Sequence, residues 1–177
     1  MRQTVRARFV ETTTSSLLAK PRVQRGTLIG EKPERMVIRY TSPERKTILM
    51  DGNRLMVFEP GRPEPERIDI TDIMKKVNHY FTRATPNQLR RAFTIRVFPD
   101  TEMLALYQMD LLPRRKQIKQ GLERLQIWVT RDSYMLAQMK MTFAGGDSEV
   151  FKLEDVELNV PIPPHTFDVD PTPGKPQ

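Results

Sequence analysis

The sequence predicts a mainly β protein with a few α-helices: ten or eleven antiparallel strands in a strongly curled sheet, with two helices inserted midway. Three observations support that class. First, the stretch from Gly26 to Pro60 divides into four short alternating runs separated by turn residues. Second, one of those turns contains Asp51-Gly52, where glycine supplies the positive φ that a tight hairpin needs. Third, helical spacing of apolar residues is convincing only between Ile73 and Ala92. Turns between neighbouring strands favour antiparallel pairing, and a sheet of this many strands twists and curls. The helices are then expected on its concave face.

Thr4 to Thr14 alternates, with Val5, Ala7 and Phe9 on one face and Arg6, Arg8 and Val10 on the other, and its β-branched content supports a strand. Ser15 to Pro21 forms a loop. The four-run block follows: VQRGTLIGE, a turn at Lys32-Pro33-Glu34, RMVIRYT, a turn at Ser42-Pro43-Glu44, KTILM, the Asp51-Gly52-Asn53 turn, and RLMVF. Met36, Ile38 and Tyr40 share one face, with Val37 and Arg39 outside. Gly61 to Pro65 is a loop and Glu66 to Ile70 a short strand. Thr71-Asp72 caps a helix whose Ile73, Met74, Val77, Tyr80 and Phe81 make one apolar stripe. Pro86 suits the first turn of a second helix holding Leu89 and Ala92.

Sheet resumes with Phe93 to Phe98 and Met103 to Met109 around a Pro99-Asp100 turn. Leu111-Leu112-Pro113 leads into a segment that is either a helical turn or a long solvated loop; Gly121 disfavours a long helix. Arg124 to Thr130 is a strand with Leu125, Ile127 and Val129 opposite Gln126, Trp128 and Thr130. Tyr134 to Phe143 carries a stripe of Met135, Ala137, Met139, Met141 and Phe143. A Gly145-Gly146-Asp147 turn precedes the closing strand from Glu149 to Asn159. The proline-rich end from Ile162 to Gln177 is expected to be extended or frayed.

With 177 residues the chain is long enough for one domain with a real core. The net charge is +7, which fits nucleic acid, anionic headgroups or simple solubility. Cations alternate with acids along most strands, and the one tight basic cluster is Arg114, Arg115, Lys116 and Lys119, so no nucleic-acid partner is expected. The absence of cysteine excludes disulfides, thiolate metal sites and a cysteine nucleophile. No apolar run approaches the roughly 18 residues of a membrane-spanning helix. Met1 opens almost directly into patterned sequence with no signal peptide, as in a cytoplasmic or a trimmed chain.

Catalytic chemistry finds little support. His79 and His165 lie in a helix and in the tail, without metal-ligand spacing. No nucleophile elbow, phosphate loop or dinucleotide fingerprint occurs, and Gly145-Gly146-Asp147 lacks the following helix that would bind phosphate. No catalytic residue, metal or cofactor is assigned, and the protein is not expected to be an enzyme. The ten methionines are more informative, because Met36, Met50, Met56, Met135, Met139 and Met141 all fall on predicted strands. Methionine is flexible and polarizable, so it either fills the core or lines a surface that adapts to irregular apolar ligands.

Gly26, Lys32-Pro33, the strand ending at Tyr40, Pro43, Asp51-Gly52, Leu55 and Pro60 stand in the order and spacing of a known signature block. With Arg8-Phe9-Val10-Glu11 before it, and Leu112-Pro113, Ile127, the Val156 to Asn159 strand and Pro161 to Phe167 after it, nearly the whole chain resembles the LolA-like periplasmic lipoprotein carriers. The resemblance implies one LolA-like domain over residues 1–177, an incomplete, unclosed barrel capped by helices. It implies a periplasmic monomer that shields acyl chains of lipoproteins or other lipids, loaded by an inner-membrane releasing complex and unloaded at an outer-membrane receptor. On this alignment Met36, Ile38 and Tyr40 line the cavity; alternation adds Leu49, Leu55, Val57, Ile127, Met135, Met139 and Met141. Lys32, Ile73, Val77 and Phe81 belong to the lid.

Two departures stand out. Lys32 occupies a position where the carriers have an arginine that engages the lid, so the charge remains but the bidentate fork is lost. The helix that usually precedes the first strand is also missing, which implies truncation or a more open mouth. Three other functions compete with the carrier: a lipid-sensing regulatory or protein-binding module of the same fold, a lipid shuttle serving a membrane exporter, and a basic nucleic-acid binder with salt-dependent affinity.

Overall fold

The computed structural model describes residues 4–31, 35–72, 86–99 and 105–168. Eleven strands form one antiparallel sheet that does not close into a barrel. They are β1 (Thr4–Thr14), β2 (Arg22–Glu31), β3 (Arg35–Ser42), β4 (Lys46–Asp51), β5 (Arg54–Phe58), β6 (Glu66–Asp69), β7 (Phe93–Pro99), β8 (Leu106–Pro113), β9 (Leu122–Thr130), β10 (Leu136–Phe143) and β11 (Ser148–Leu158). Two short helices, α1 (Pro86–Ala92) and α2 (Lys116–Lys119), complete the elements among the described residues, and neither could cross a membrane.

The strand order is β6-β5-β4-β3-β2-β1-β11-β10-β9-β8-β7. Every neighbour except the β1–β11 pair is consecutive in sequence, so the sheet is two meanders joined where the first strand meets the last. β6 and β7 are its edges. The chain divides into two compact units, one from Met1–Phe9, Gln24–Met74 and Glu154–Gln177, the other from Val10–Val23 and Lys75–Leu153.

In the first unit, Phe9 anchors the core at 1% exposure, with Ala7, Leu28 and Tyr40 also buried. Its ring meets that of Tyr40 edge to face at 5.1 Å between centroids. Gly26 is required beside it, because a Cβ there would lie 2.7 Å from the Phe9 ring. In the second unit, Ala92, Phe93, Leu111 and Leu125 form a buried cluster, surrounded by Leu89 of α1, Ile118 of α2 and Ile127, Met139 and Met141 of the sheet. Both helices therefore contribute apolar side chains to that sheet face. The segment after Pro113 takes the helical-turn alternative, four residues long.

Several boundaries differ from expectation, three of them with a clear cause. β8 runs on through Pro113, because Leu111 pairs with both Ile95 and Leu125 and Leu112 pairs with Thr94. β10 begins at Leu136 rather than Tyr134, because Tyr134 and Met135 close a turn in which Tyr134 N donates to Thr130 O and Thr130 N donates to Met135 O. The C-terminal segment, expected to be extended or frayed, is folded as far as Asp168. Thr166 N and its hydroxyl both donate to Pro163 O, and Asp168 N donates to His165 O. Thr166 is buried, and its own carbonyl accepts a 3.0 Å hydrogen bond from Arg39.

Candidate functional site

Residues directly opposite each other in antiparallel strands point to the same face. In the first unit this sorts the side chains without ambiguity. Ile38 pairs with Leu28 and Ile48, Met36 with Met50, Met50 with Leu55, Ile48 with Val57, and Leu55 with Ile68. Leu28, Met36, Ile38, Ile48, Met50, Leu55, Val57 and Ile68 thus occupy one face. Leu28 is buried, the next six are half-buried, and Ile68 at the edge is 39% exposed. Tyr40 shares this face and is buried, with the Lys46 ammonium 4.1 Å from its ring centroid.

The opposite face carries Val37, Leu49 and Met56, which are paired in that order across β3, β4 and β5. Leu49 therefore does not share a face with Ile38, contrary to the alternation expected from sequence; Ile48 and Met50 take its place. The available signal was the hairpin itself. A two-residue loop at Gly52-Asn53 pairs Asp51 with Arg54, and counting back one residue on each side sets Met50 against Leu55. Nor is Val37 an outer residue. It is fully buried and Leu49 is 6% exposed. The C-terminal segment reaches the Val37 face of β3 through Arg39, which donates to Thr166 O, and through the Arg35 guanidinium, which lies 4.6 Å from the Phe167 ring centroid. Burial lowers the Arg39 pKa from its usual value.

In the second unit, Met139 pairs with Ile127 and Met141 with Leu125, so Ile127, Met139 and Met141 do share a face. That face also packs against the cluster containing Ala92 and Phe93. Met135 is not part of the stripe. It precedes the strand, and an irregularity between Leu136 and Gln138 sets Leu136 opposite Val129. A plain alternation count across that bulge slips by one position.

Trp128 lies opposite Gln108 and Gln138 and is 7% exposed, on the face away from Ile127. The same face holds a buried carboxylate that sequence analysis missed. Asp110 is 4% exposed and accepts hydrogen bonds from Gln108 at 2.8 Å, Gln126 at 3.2 Å, and Arg124. Burial pushes its pKa up, but the hydrogen bonds from Arg124, Gln108 and Gln126 and the Arg124 charge outweigh it and leave the carboxyl below its ordinary value. The visible sign was a lone acid inside the apolar run LYQMDLLP, with Arg124 and Gln126 two residues apart on a later strand.

Lys32, Ile73, Val77 and Phe81, assigned to the lid, lie outside the described residues, as does His79. His165 is exposed and its Nδ1 contacts Asp168 at 2.7 Å. Among the described residues no group of three or more acidic, histidine or cysteine side chains could hold a metal ion.

The model of the outer membrane lipoprotein carrier protein LolA family matches residues 1–170. No curated protein matches the chain. A conserved protein of uncharacterised function from Thermus thermophilus shares its fold with a TM-score of 0.59 at 6% identity, over 96% of this chain and 86% of that one. MucB of Pseudomonas aeruginosa, solved in complex with MucA, does so with a TM-score of 0.56 at 12% identity, over 95% of this chain. The chain spans 56% of MucB's length. A LolA superfamily protein of Nitrosomonas europaea matches with a TM-score of 0.44 at 12% identity, over 93% of this chain and 89% of that one. The chain belongs to the LolA outer membrane lipoprotein carrier protein family.

Proposed function

We propose that the protein is a periplasmic, non-enzymatic carrier that encloses acyl chains of lipoproteins, or of another lipid, and passes them towards the outer membrane. One observation carries this role. The face holding Met36, Ile38, Ile48, Met50, Leu55 and Val57 is apolar across three adjacent strands yet remains half-buried. The Val37 and Leu49 positions on the other face are sealed. A contiguous apolar surface left partly open suits an apolar ligand, and methionine at two of its six positions adapts to a chain of variable shape.

The energetics need no fuel from the protein itself. Burial contributes about 0.8 kcal/mol per CH₂, so partial enclosure of a long acyl chain stabilises the complex by several kcal/mol. Release requires an acceptor with greater affinity. An inner-membrane releasing complex and an outer-membrane receptor fill the loading and unloading roles in this scheme, and the carrier acts as a monomeric single domain. Tyr40 extends this surface within the first unit, and Ile127, Met139 and Met141 offer a second apolar face within the other. Lys32, Ile73, Val77 and Phe81 form the lid, where the lysine ammonium gives a looser latch than a guanidinium fork would.

The test is native mass spectrometry of the purified protein, followed by solvent extraction and lipid analysis. A co-purified phospholipid or acylated species, or stoichiometric uptake of an added acyl probe, is expected. A clean unliganded mass with no uptake would overturn the carrier role and favour a protein-binding module.

A further inference from the structure

The loop between β1 and β2 presents an exposed leucine pair that the first unit's apolar face does not explain. Leu17 is 91% exposed and Leu18 is 38% exposed. Leaving two leucines in water forgoes the burial that folding back onto apolar surface would gain. Here the base of the loop is fixed. The Ser15 hydroxyl donates to one Asp147 oxygen at 2.8 Å and Ser16 N donates to the other at 3.2 Å. Leu17 N donates to the Ser15 hydroxyl oxygen and Leu18 N to Ser15 O, closing a tight turn. Asp147 is itself fixed by the β10–β11 hairpin, where Phe143 N donates to Asp147 O. Gly145 and Gly146 both take positive φ in that hairpin, which holds the carboxylate in place.

The charge beside the tip is one-sided. From Thr12 to Val23 the chain carries Lys20 and Arg22, both exposed, and no acid. Asp147, the carboxylate at the loop base, is engaged by two hydrogen bonds from the loop itself. An outward apolar tip flanked by cations matches the boundary between acyl chains and anionic headgroups. A net charge of +7 attracts the whole molecule to such a surface.

We propose that the Leu17-Leu18 tip is a membrane-docking element. It inserts shallowly into a bilayer surface carrying anionic headgroups, with Lys20 and Arg22 at headgroup level and the Ser15–Asp147 clamp as its rigid base. Docking is independent of acyl-chain loading, so it can be tested whether or not the carrier role holds.

The experiment is flotation of the full chain with vesicles of phosphatidylethanolamine and phosphatidylglycerol, against vesicles of phosphatidylcholine alone. Wild type is expected to float with the anionic vesicles and to be released by high salt. Leu17→Asp/Leu18→Asp and Lys20→Gln/Arg22→Gln should each weaken partitioning about tenfold. Leu17, Leu18 and Lys20 are exposed in the loop and Arg22 is the exposed first residue of β2, and unchanged melting temperatures would confirm that the fold is intact. Because the chain has no cysteine, Leu17→Cys labelled with an environment-sensitive dye reports the tip alone. Its emission should shift to the blue on vesicle addition, while the same dye at Leu158→Cys, 54% exposed in wild type, should not respond. Failure of the wild type to float, equal flotation of the Asp variant, a label at position 17 that stays in water, or binding only to vesicles carrying a protein receptor would each overturn the proposal.

Discussion

Two single residues carry much of the local design. Gly26 sits under the Phe9 ring, and an added Cβ would meet both that ring and the Arg39 carbonyl oxygen. Gly26→Ala should therefore destabilise the protein by about 1–3 kcal/mol through overpacking, measured by urea denaturation. Gly30→Ala, whose Cβ would lie 3.0 Å from a Val5 methyl, should cost less because that side chain can move. Asp110 is the second such residue. Its carboxyl is held below the ordinary value of about 4. The anion therefore stabilises the fold at pH values above that ordinary value, and the contribution is lost as pH falls through the lowered folded value. Asp110→Asn should cost about 2 kcal/mol at pH 7, since the buried network loses its charge and one of its two acceptor oxygens while Arg124 stays partly solvated. The gap between variant and wild type should narrow below about pH 4, as the wild-type carboxylate protonates. A gap that is constant with pH would place the stabilisation elsewhere.

Among the elements, the C-terminal segment has the clearest structural consequence. Removing residues 161–177 should take away the Arg39 contact to Thr166 O and the Phe167 ring beside Arg35. If that segment is what seals Val37 and Leu49, their exposure costs about 3 kcal/mol in lost burial, read as a lower melting temperature and increased binding of a hydrophobic dye. An unchanged melting temperature would show that the segment only decorates the surface. This element was hidden in the sequence for a physical reason. Its proline content excludes regular structure, and what orders it is a long-range contact to a cation on β3, which no local pattern records. The strands were legible because their order repeats locally: alternation, turn, alternation. Boundaries slipped where tertiary pairing extended a strand, as at Leu111, or where a turn consumed its first residues, as at Tyr134 and Met135.

At the scale of the whole molecule, the question is which sheet face takes ligand, and the answer depends on register rather than composition. Alternation inside single strands was enough to put Met36 with Ile38, Leu55 with Val57 and Met139 with Met141, and the register then joins the first two pairs on one face and sets Ile127 beside Met139. Leu49 and Met135 were misplaced because facing must be carried from strand to strand, through a hairpin in one case and across a bulge in the other. The two faces of β3 and β4 now make opposite predictions for the same change of chemistry. Leu49 is 6% exposed, paired with fully buried Val37. A carboxylate there would be desolvated without a partner, so Leu49→Glu should unfold the protein or lower its melting temperature sharply. Ile38 is only half-buried, on the face proposed to take the acyl chain. Ile38→Glu can keep its charge partly hydrated, so it should cost about 1–2 kcal/mol of stability. Even so it should abolish acyl-probe uptake, because an apolar chain laid beside that carboxylate would displace its water. The pair is read by thermal unfolding together with probe binding. Full uptake by a folded Ile38→Glu protein would remove this face from the binding surface, and a stable Leu49→Glu protein would show that the opposite face is open.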